Sequence, residues 1–109
     1  MKKLHGLEIS PRAVEDVRSL RLYIRDTLCD PVAADRTAEA VLAAMERLRA
    51  FPASGVRFNS RLPVLSPYRR VAAGLYQIVY RFDGKSVFVV RVLHELQDQL
   101  AILLSEVSG

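Results

Sequence analysis

Residues 68–98 read YRRVAAGLYQIVYRFDGKSVFVVRVLHELQD. Two runs that alternate apolar and polar side chains flank Asp83-Gly84. Asp-Gly between such runs is a strong hairpin signal, because the favoured two-residue turn needs residues that tolerate positive φ. The pattern predicts strands at roughly Tyr68–Ala73, Leu75–Phe82 and Lys85–Leu93, the last closing on His94.

Upstream the period changes from two to about 3.6. Val14, Val17, Leu20, Ile24 and Leu28 recur at helical spacing behind Ser10-Pro11, a cap followed by a first-turn proline. A helix is expected near 11–28, with Arg12, Arg18, Arg21, Arg25, Glu15 and Asp16 on its outer face. Asp30-Pro31 repeats the start signal. A second helix should run to about Ala50, with Ala34, Ala38, Val41, Leu42, Met45 and Leu48 facing inward. The short junction at Cys29-Asp30 makes the pair an antiparallel helical hairpin. Leu4–Ile9 is a plausible first strand. Residues 52–67, with Arg57 and Arg61, read as loop. In the tail Glu95–Val107, Leu96, Leu100, Leu103 and Leu104 fit a short amphipathic helix.

The order is therefore β-α-α-β-β-β-α, an α+β domain over residues 1–109 with the helical hairpin packed on one face of a small antiparallel sheet. The other face is left for a partner, a groove or solvent. The apolar positions of the hairpin and tail exceed what one small sheet face covers, so an open apolar groove is expected.

At 109 residues, half of them hydrophobic, the chain can bury one core. The single cysteine, Cys29, cannot form an internal disulfide, which fits a reducing, cytoplasmic setting. It reads as a helix-end filler. Leu4–Ile9 is too short and polar for a secretory leader, and no apolar run reaches the length of a membrane span. The net charge is +4, and it is uneven. Between residues 57 and 91, seven basic residues face one acid, Asp83. Thirteen of the sixteen cations are arginine, suited to forked contacts with phosphate or carboxylate. Such a face fits nucleic acid, an acidic protein partner, or ordinary surface charge.

No phosphate-loop, zinc-protease or paired-cysteine motif occurs, and two distant histidines with one cysteine do not supply a metal site. No cofactor or metal is expected. His5 reads as a surface residue. His94, at the end of the last strand, is either a general acid or base or a plainly hydrogen-bonded strand end. Arg69 and Arg70 are neighbours in a strand, so they point to opposite faces. Arg81 and Arg91 extend the basic surface. Such arginines can hold phosphates in phosphodiester cleavage or anchor an acidic helix. Tyr68, Tyr76 and Tyr80 are base-stacking candidates or plain packing residues.

In order along the chain stand Ile9-Ser10-Pro11-Arg12-Ala13 with Asp16 and Tyr23-Ile24, then Leu48 to Phe51-Pro52, then Tyr68-Arg69. Tyr76-Gln77-Ile78-Val79-Tyr80-Arg81 and Val90-Arg91-Val92-Leu93-His94 with Asp98 complete the set. Each piece is weak alone. The ordered set resembles the RelE/ParE superfamily of type II toxin–antitoxin toxins and covers nearly the whole chain. The resemblance implies the same β-α-α-β-β-β-α fold, a cytoplasmic toxin and a cognate antitoxin whose helix lies in an apolar groove. Two activities follow from it: poisoning of DNA gyrase in the ParE branch, or ribosome-dependent mRNA cleavage in the RelE branch. Arg69 matches a basic position of the nuclease branch. Gln77 and Glu95 stand where that branch has arginines, and its C-terminal tyrosine falls near Ala101. The Val-Leu-His ending and Asp98 look more like the ParE branch. Arg69, Arg70, Arg81 and His94 are the candidates for activity, and a binding module without toxicity is the third reading.

Overall fold

Ser10 turns the chain from its first strand into its first helix. Its side chain accepts a hydrogen bond from the Ala13 amide at 3.1 Å, and Pro11 occupies the first turn. The computed structural model describes residues 3–58 and 63–108, so the expectation for Arg61 lies outside it. Strand β1 (Gly6–Ile9) leads into helix α1 (Pro11–Leu22), which widens into a π-helical turn over Tyr23–Thr27. Cys29 ends this unit with φ +54, a left-handed position normally given to glycine or asparagine. Its helix-end role is as expected. Asp30 then caps α2 (Pro31–Leu48), accepting from the Ala33 amide at 3.0 Å.

The expected strands follow as β3 (Tyr68–Ala73), β4 (Tyr76–Phe82) and β5 (Ser86–His94), with α3 (Gln99–Ser108) last. A two-residue strand β2 (Val56–Arg57) stands in the stretch read as loop, because these residues pair with Arg70 and Arg69 at the sheet edge. The sheet order is β1-β5-β4-β3-β2. Neighbours from β2 to β5 run antiparallel, but β1 pairs parallel with β5, from Gly6 opposite Ser86 to Ile9 opposite Val89. The sheet is therefore mixed. The helical hairpin carries the chain over one face to the far edge at β2, and the meander brings it back beside β1, which makes β1 and β5 parallel.

The helical hairpin packs on one sheet face. Ala13, Leu20, Ile24, Ala34, Val41, Met45 and Leu48 meet Ile78, Tyr80, Val87, Val89 and Val92 in this core. The opposite face is partly covered by the chain itself: Leu103 of α3 and Leu65 bury Val79 and Leu93 there, beside Phe58. The tail helix thus packs on the sheet with Leu103, while Leu96 stays 86 % exposed on the segment before it.

A register shift between Val79 and Tyr80 of β4 leaves Val90 without an opposite residue on that strand. Beyond this bulge β1 has ended, and α1 finishes the edge of β5 with its own polar groups. The Ser10 amide donates to the Val89 carbonyl at 2.9 Å, its hydroxyl donates to the Val90 carbonyl at 2.9 Å, and Asp16 Oδ2 accepts from the Val92 amide at 2.9 Å.

Candidate functional site

The β3–β4 and β4–β5 registers sort the sequence candidates by face. Arg69 lies opposite Tyr80, and His94 opposite Tyr76. Tyr80 and Tyr76 pack in the helical-hairpin core, so Arg69 and His94 belong to that face. Arg70 lies opposite Val79, and Arg81 opposite Tyr68, which place both on the α3 face. The four side chains do not meet in one cleft. Arg69 and His94 stand towards opposite ends of the hairpin face, and only Arg70 and Arg81 are diagonal neighbours.

Arg69 is occupied. Its Nη1 donates to the Gly55 carbonyl at 2.9 Å and the Ala53 carbonyl at 3.3 Å. Tyr80, fully buried, completes the clamp by donating to the Pro52 carbonyl at 2.8 Å and accepting from the Gly55 amide at 2.9 Å. A β-carbon on Gly55 would stand 2.6 Å from the Tyr80 hydroxyl and 2.8 Å from the Arg70 carbonyl, so only glycine fits. Arg69 is not exposed at the strand start: it is half-buried, and it ties the 52–55 loop to the sheet. The reason is that β2 and this loop wrap the end of β3, which sequence spacing does not reveal.

Arg91 is the second correction. It does not extend the basic surface. Its side chain is 11 % exposed and forks onto Asp16 at 2.7 and 2.9 Å, while Nη1 donates to Glu106 at 3.0 Å. The hydrogen bonds to Asp16 come first among the causes that hold its guanidinium charged above the ordinary arginine range, against the pull of burial. Asp16, assigned to the outer helix face, turns towards the sheet for the same reason. Neither Asp16 nor Glu106 stands out in sequence as a partner of Arg91. The only signal is an acid on α1 within reach of a basic residue in an otherwise apolar strand.

His94 is hydrogen-bonded at the strand end. Its amide donates to Gln97 Oε1 at 2.8 Å, and its Nδ1 accepts from the Leu96 amide at 3.1 Å. That leaves Nε2 to carry the proton in the neutral ring. The imidazole stands edge-on to Tyr76 at 5.3 Å. Burial, and then the nearby Tyr23, push the Tyr76 hydroxyl above the usual tyrosine range. Arg70 stacks over Phe58 at 5.2 Å and donates to Gln99 at 3.3 Å, and Arg81 stacks over Phe88 at 4.3 Å.

Two apolar grooves open along the helical hairpin. One, of about 450 Å³, is formed by Ile9, Val14, Val17, Leu22, Ala38 and Leu42 and rimmed by Arg18, Arg21 and Arg25. Val14, Leu22 and Leu42 are 55, 41 and 47 % exposed, although Leu42 was expected to face inward. The rim arginines fall on one side of α1, at spacings of three and four. Arg21 is paired with Asp35 and Arg25 with Asp26, both exposed to solvent. The second groove, of about 550 Å³, lies between Tyr23, Leu28, Ala33 and Arg36 of the hairpin and Leu75, Tyr76 and His94 of the sheet. Among the described residues no helix is long and apolar enough to cross a membrane, and no group of three or more His, Cys, Asp or Glu is arranged to hold a metal.

A mixed five-stranded sheet with a helical hairpin on one face and a short C-terminal helix on the other matches the RelE/ParE-like toxin folds. Residues 7–99 match the family described as the ParE toxin of the type II toxin–antitoxin system parDE, and the chain belongs to that family. Solved structures share the fold at low identity. A chain of the chromosomal ParDE system from P. aeruginosa superposes with a TM-score of 0.69 at 16 % identity, over 84 % of this chain and 97 % of that one. The RelBE2 toxin–antitoxin complex from Mycobacterium tuberculosis gives 0.60 at 21 %, over 84 % and 91 %. A mutant E. coli toxin RelE in the free state gives 0.57 at 19 %, over 96 % and 95 %. No curated protein matches the chain.

Proposed function

We propose that this ParE-family toxin acts on DNA gyrase and is neutralised by an antitoxin whose acidic amphipathic helix lies in the groove of Val14, Leu22 and Leu42. The observation that carries the antitoxin reading is the groove itself. Its apolar floor supplies burial, and Arg18, Arg21 and Arg25 on one rim supply charge that an acidic helix complements. Parting Arg21 from Asp35 and Arg25 from Asp26 costs little, because ion pairs between solvent-exposed side chains are weak and screened.

The gyrase reading is supported by the scattering of the candidate cast. Phosphodiester cleavage needs a base, an acid and phosphate-binding cations around one phosphate. Here His94 and Arg69 belong to one sheet face and Arg70 and Arg81 to the other, and Arg69 is spent on loop carbonyls. Ribosome-dependent mRNA cleavage is the second reading, kept by Glu95 next to His94. The test is to induce the protein and compare gyrase-dependent DNA breaks with transcript cleavage on ribosomes. Gyrase-dependent breaks, with messages intact, are expected. Ribosome-dependent cuts abolished by His94→Ala would establish the nuclease instead. For the antitoxin, Leu22→Asp with Leu42→Asp should abolish capture by the small acidic protein of the adjacent reading frame and leave toxicity intact. Unchanged capture would reject the groove.

A further inference from the structure

Three hydrogen bonds hold one leucine in water. After β5 the chain turns over residues 94–97. The Gln97 amide donates to the His94 carbonyl at 3.0 Å, the His94 amide to Gln97 Oε1 at 2.8 Å, and the Leu96 amide to His94 Nδ1 at 3.1 Å. The Glu95 amide donates to the Leu75 carbonyl at 2.8 Å, which fixes the turn beside the β3–β4 connection. Leu96 on this ordered turn is 86 % exposed, more than any other large apolar side chain described. Glu95 and Asp98, exposed on either side of it, make no ion pair among the described residues. Beside the turn lies the second groove, between the helical hairpin and the sheet end. Its floor is apolar, its lining holds no acid, and Arg36 on its rim pairs with no carboxylate among the described residues. Tyr23, Leu28 and Leu75, which line it, are 52, 56 and 57 % exposed. Tyr23, Tyr76 and His94 line both this groove and the hollow beside Leu96, so the leucine and the groove belong to one continuous patch.

We infer that this patch binds a second copy of the chain across a two-fold axis, with Leu96 of each protomer entering the groove of the other and Glu95 meeting the partner's Arg36. Exposed apolar surface of this extent marks a partner site, and the composition of the patch chooses the partner. A two-fold interface needs a surface that complements itself, because each contact occurs twice with the roles of the copies exchanged. This patch carries both halves: a projecting leucine flanked by acids, and an apolar groove rimmed by an unpaired cation. The charges that meet are opposite in sign, which selects this register over ones that oppose like charges. The turn is already hydrogen-bonded, so little freedom is lost when it docks. A patch of a few side chains fits a reversible dimer rather than an obligate one. The groove of Val14, Leu22 and Leu42 shares no lining residue with this one, so the inference rests on neither the antitoxin nor the gyrase reading.

Sedimentation equilibrium of the purified protein from micromolar to millimolar concentration tests this. A monomer–dimer equilibrium is expected. Leu96→Asp, at a position in open solvent, should fold with an unchanged melting temperature and weaken the dimer at least about tenfold. Arg36→Glu sets acid against acid at both contacts of its own dimer, and Glu95→Arg sets cation against cation, so each variant alone should lose self-association. Mixed in equal amounts, the two variants should form a heterodimer, because both contacts then join opposite charges. That rescue requires residue 95 of one copy to meet residue 36 of the other, and a role of either side chain in folding would not produce it. A monomer at every concentration would overturn the inference. So would a dimer that Leu96→Asp leaves intact, or a mixture that does not associate. A monomer whose Leu28→Asp variant loses capture of the small acidic protein of the adjacent reading frame would give the groove to the antitoxin instead.

Discussion

Asp16 of α1 and Arg91 of β5, 75 residues apart, meet in a two-pronged ion pair at 2.7 and 2.9 Å. The same carboxylate accepts from the Val92 amide, so one side chain both neutralises the arginine and completes the edge of β5 where β1 has ended. The pair is nearly buried, with side-chain exposures of 16 and 11 %. Removing one partner of a buried pair leaves the other uncompensated and costs about 3 kcal/mol. Asp16→Ala and Arg91→Ala should each lower stability by about that amount in urea titrations. The double variant should lose clearly less than the sum. Additive losses would show that the two side chains act separately.

Arg69 and Arg70 are adjacent in sequence and should behave differently. Arg69→Ala removes charged hydrogen bonds to the Ala53 and Gly55 carbonyls and should cost about 1.5–3 kcal/mol. Arg70→Ala leaves a ring and a half-buried glutamine behind and, from an exposed position, should change stability by about 0.5 kcal/mol or less. Thermal unfolding of the two single variants checks this. Loss of toxicity in the Arg70 variant at unchanged stability would place that side chain in the activity.

The Tyr80 hydroxyl serves two backbone groups of the 52–55 loop from a fully buried position. Tyr80→Phe strands the Gly55 amide and the Pro52 carbonyl and should cost roughly 1–3 kcal/mol. Gly55→Ala drives a methyl group into the Tyr80 ring and the Arg70 carbonyl and should be at least as damaging. Hydrogen exchange of the Gly55 amide should quicken in the Phe variant before global unfolding does.

Asp83 makes the β4–β5 turn sensitive to acid. Its Oδ1 accepts from the Ser86 and Lys85 amides, each at 2.8 Å, and these bonds, Ser86 first, hold its carboxyl below the usual aspartate range. A depressed folded-state pKa means the native state binds its proton less readily than the unfolded chain. The stabilisation is therefore complete above the unfolded pKa of about 3.9 and is lost as pH falls through the folded value. Asp83→Asn, which keeps an acceptor without the charge, should be less stable than the parent at pH 7. The gap in melting temperature should close as pH drops below about 4.

Much of the fold is written locally. Asp83-Gly84 between alternating runs sets the β4–β5 hairpin, and Ser10-Pro11 and Asp30-Pro31 set two helix starts, because turns and caps are decided by residues within a few positions of each other. Alternation alone also separates Arg69 from Arg70 across the sheet. What sequence did not reveal depends on pairing across long separations. The parallel docking of β1 on β5, the burial of Arg91 between Asp16 and Glu106, and the capture of Arg69 by the 53–55 carbonyls join segments that spacing cannot bring together. The face on which His94 lies was hidden for a further reason. The bulge at Val90 shifts the period-two pattern of β5 by one residue, so the count from Val87 and Val89 ends with Val92 and His94 on the helical side. Local chemistry determined which elements form; the tertiary register decided which charges remain free.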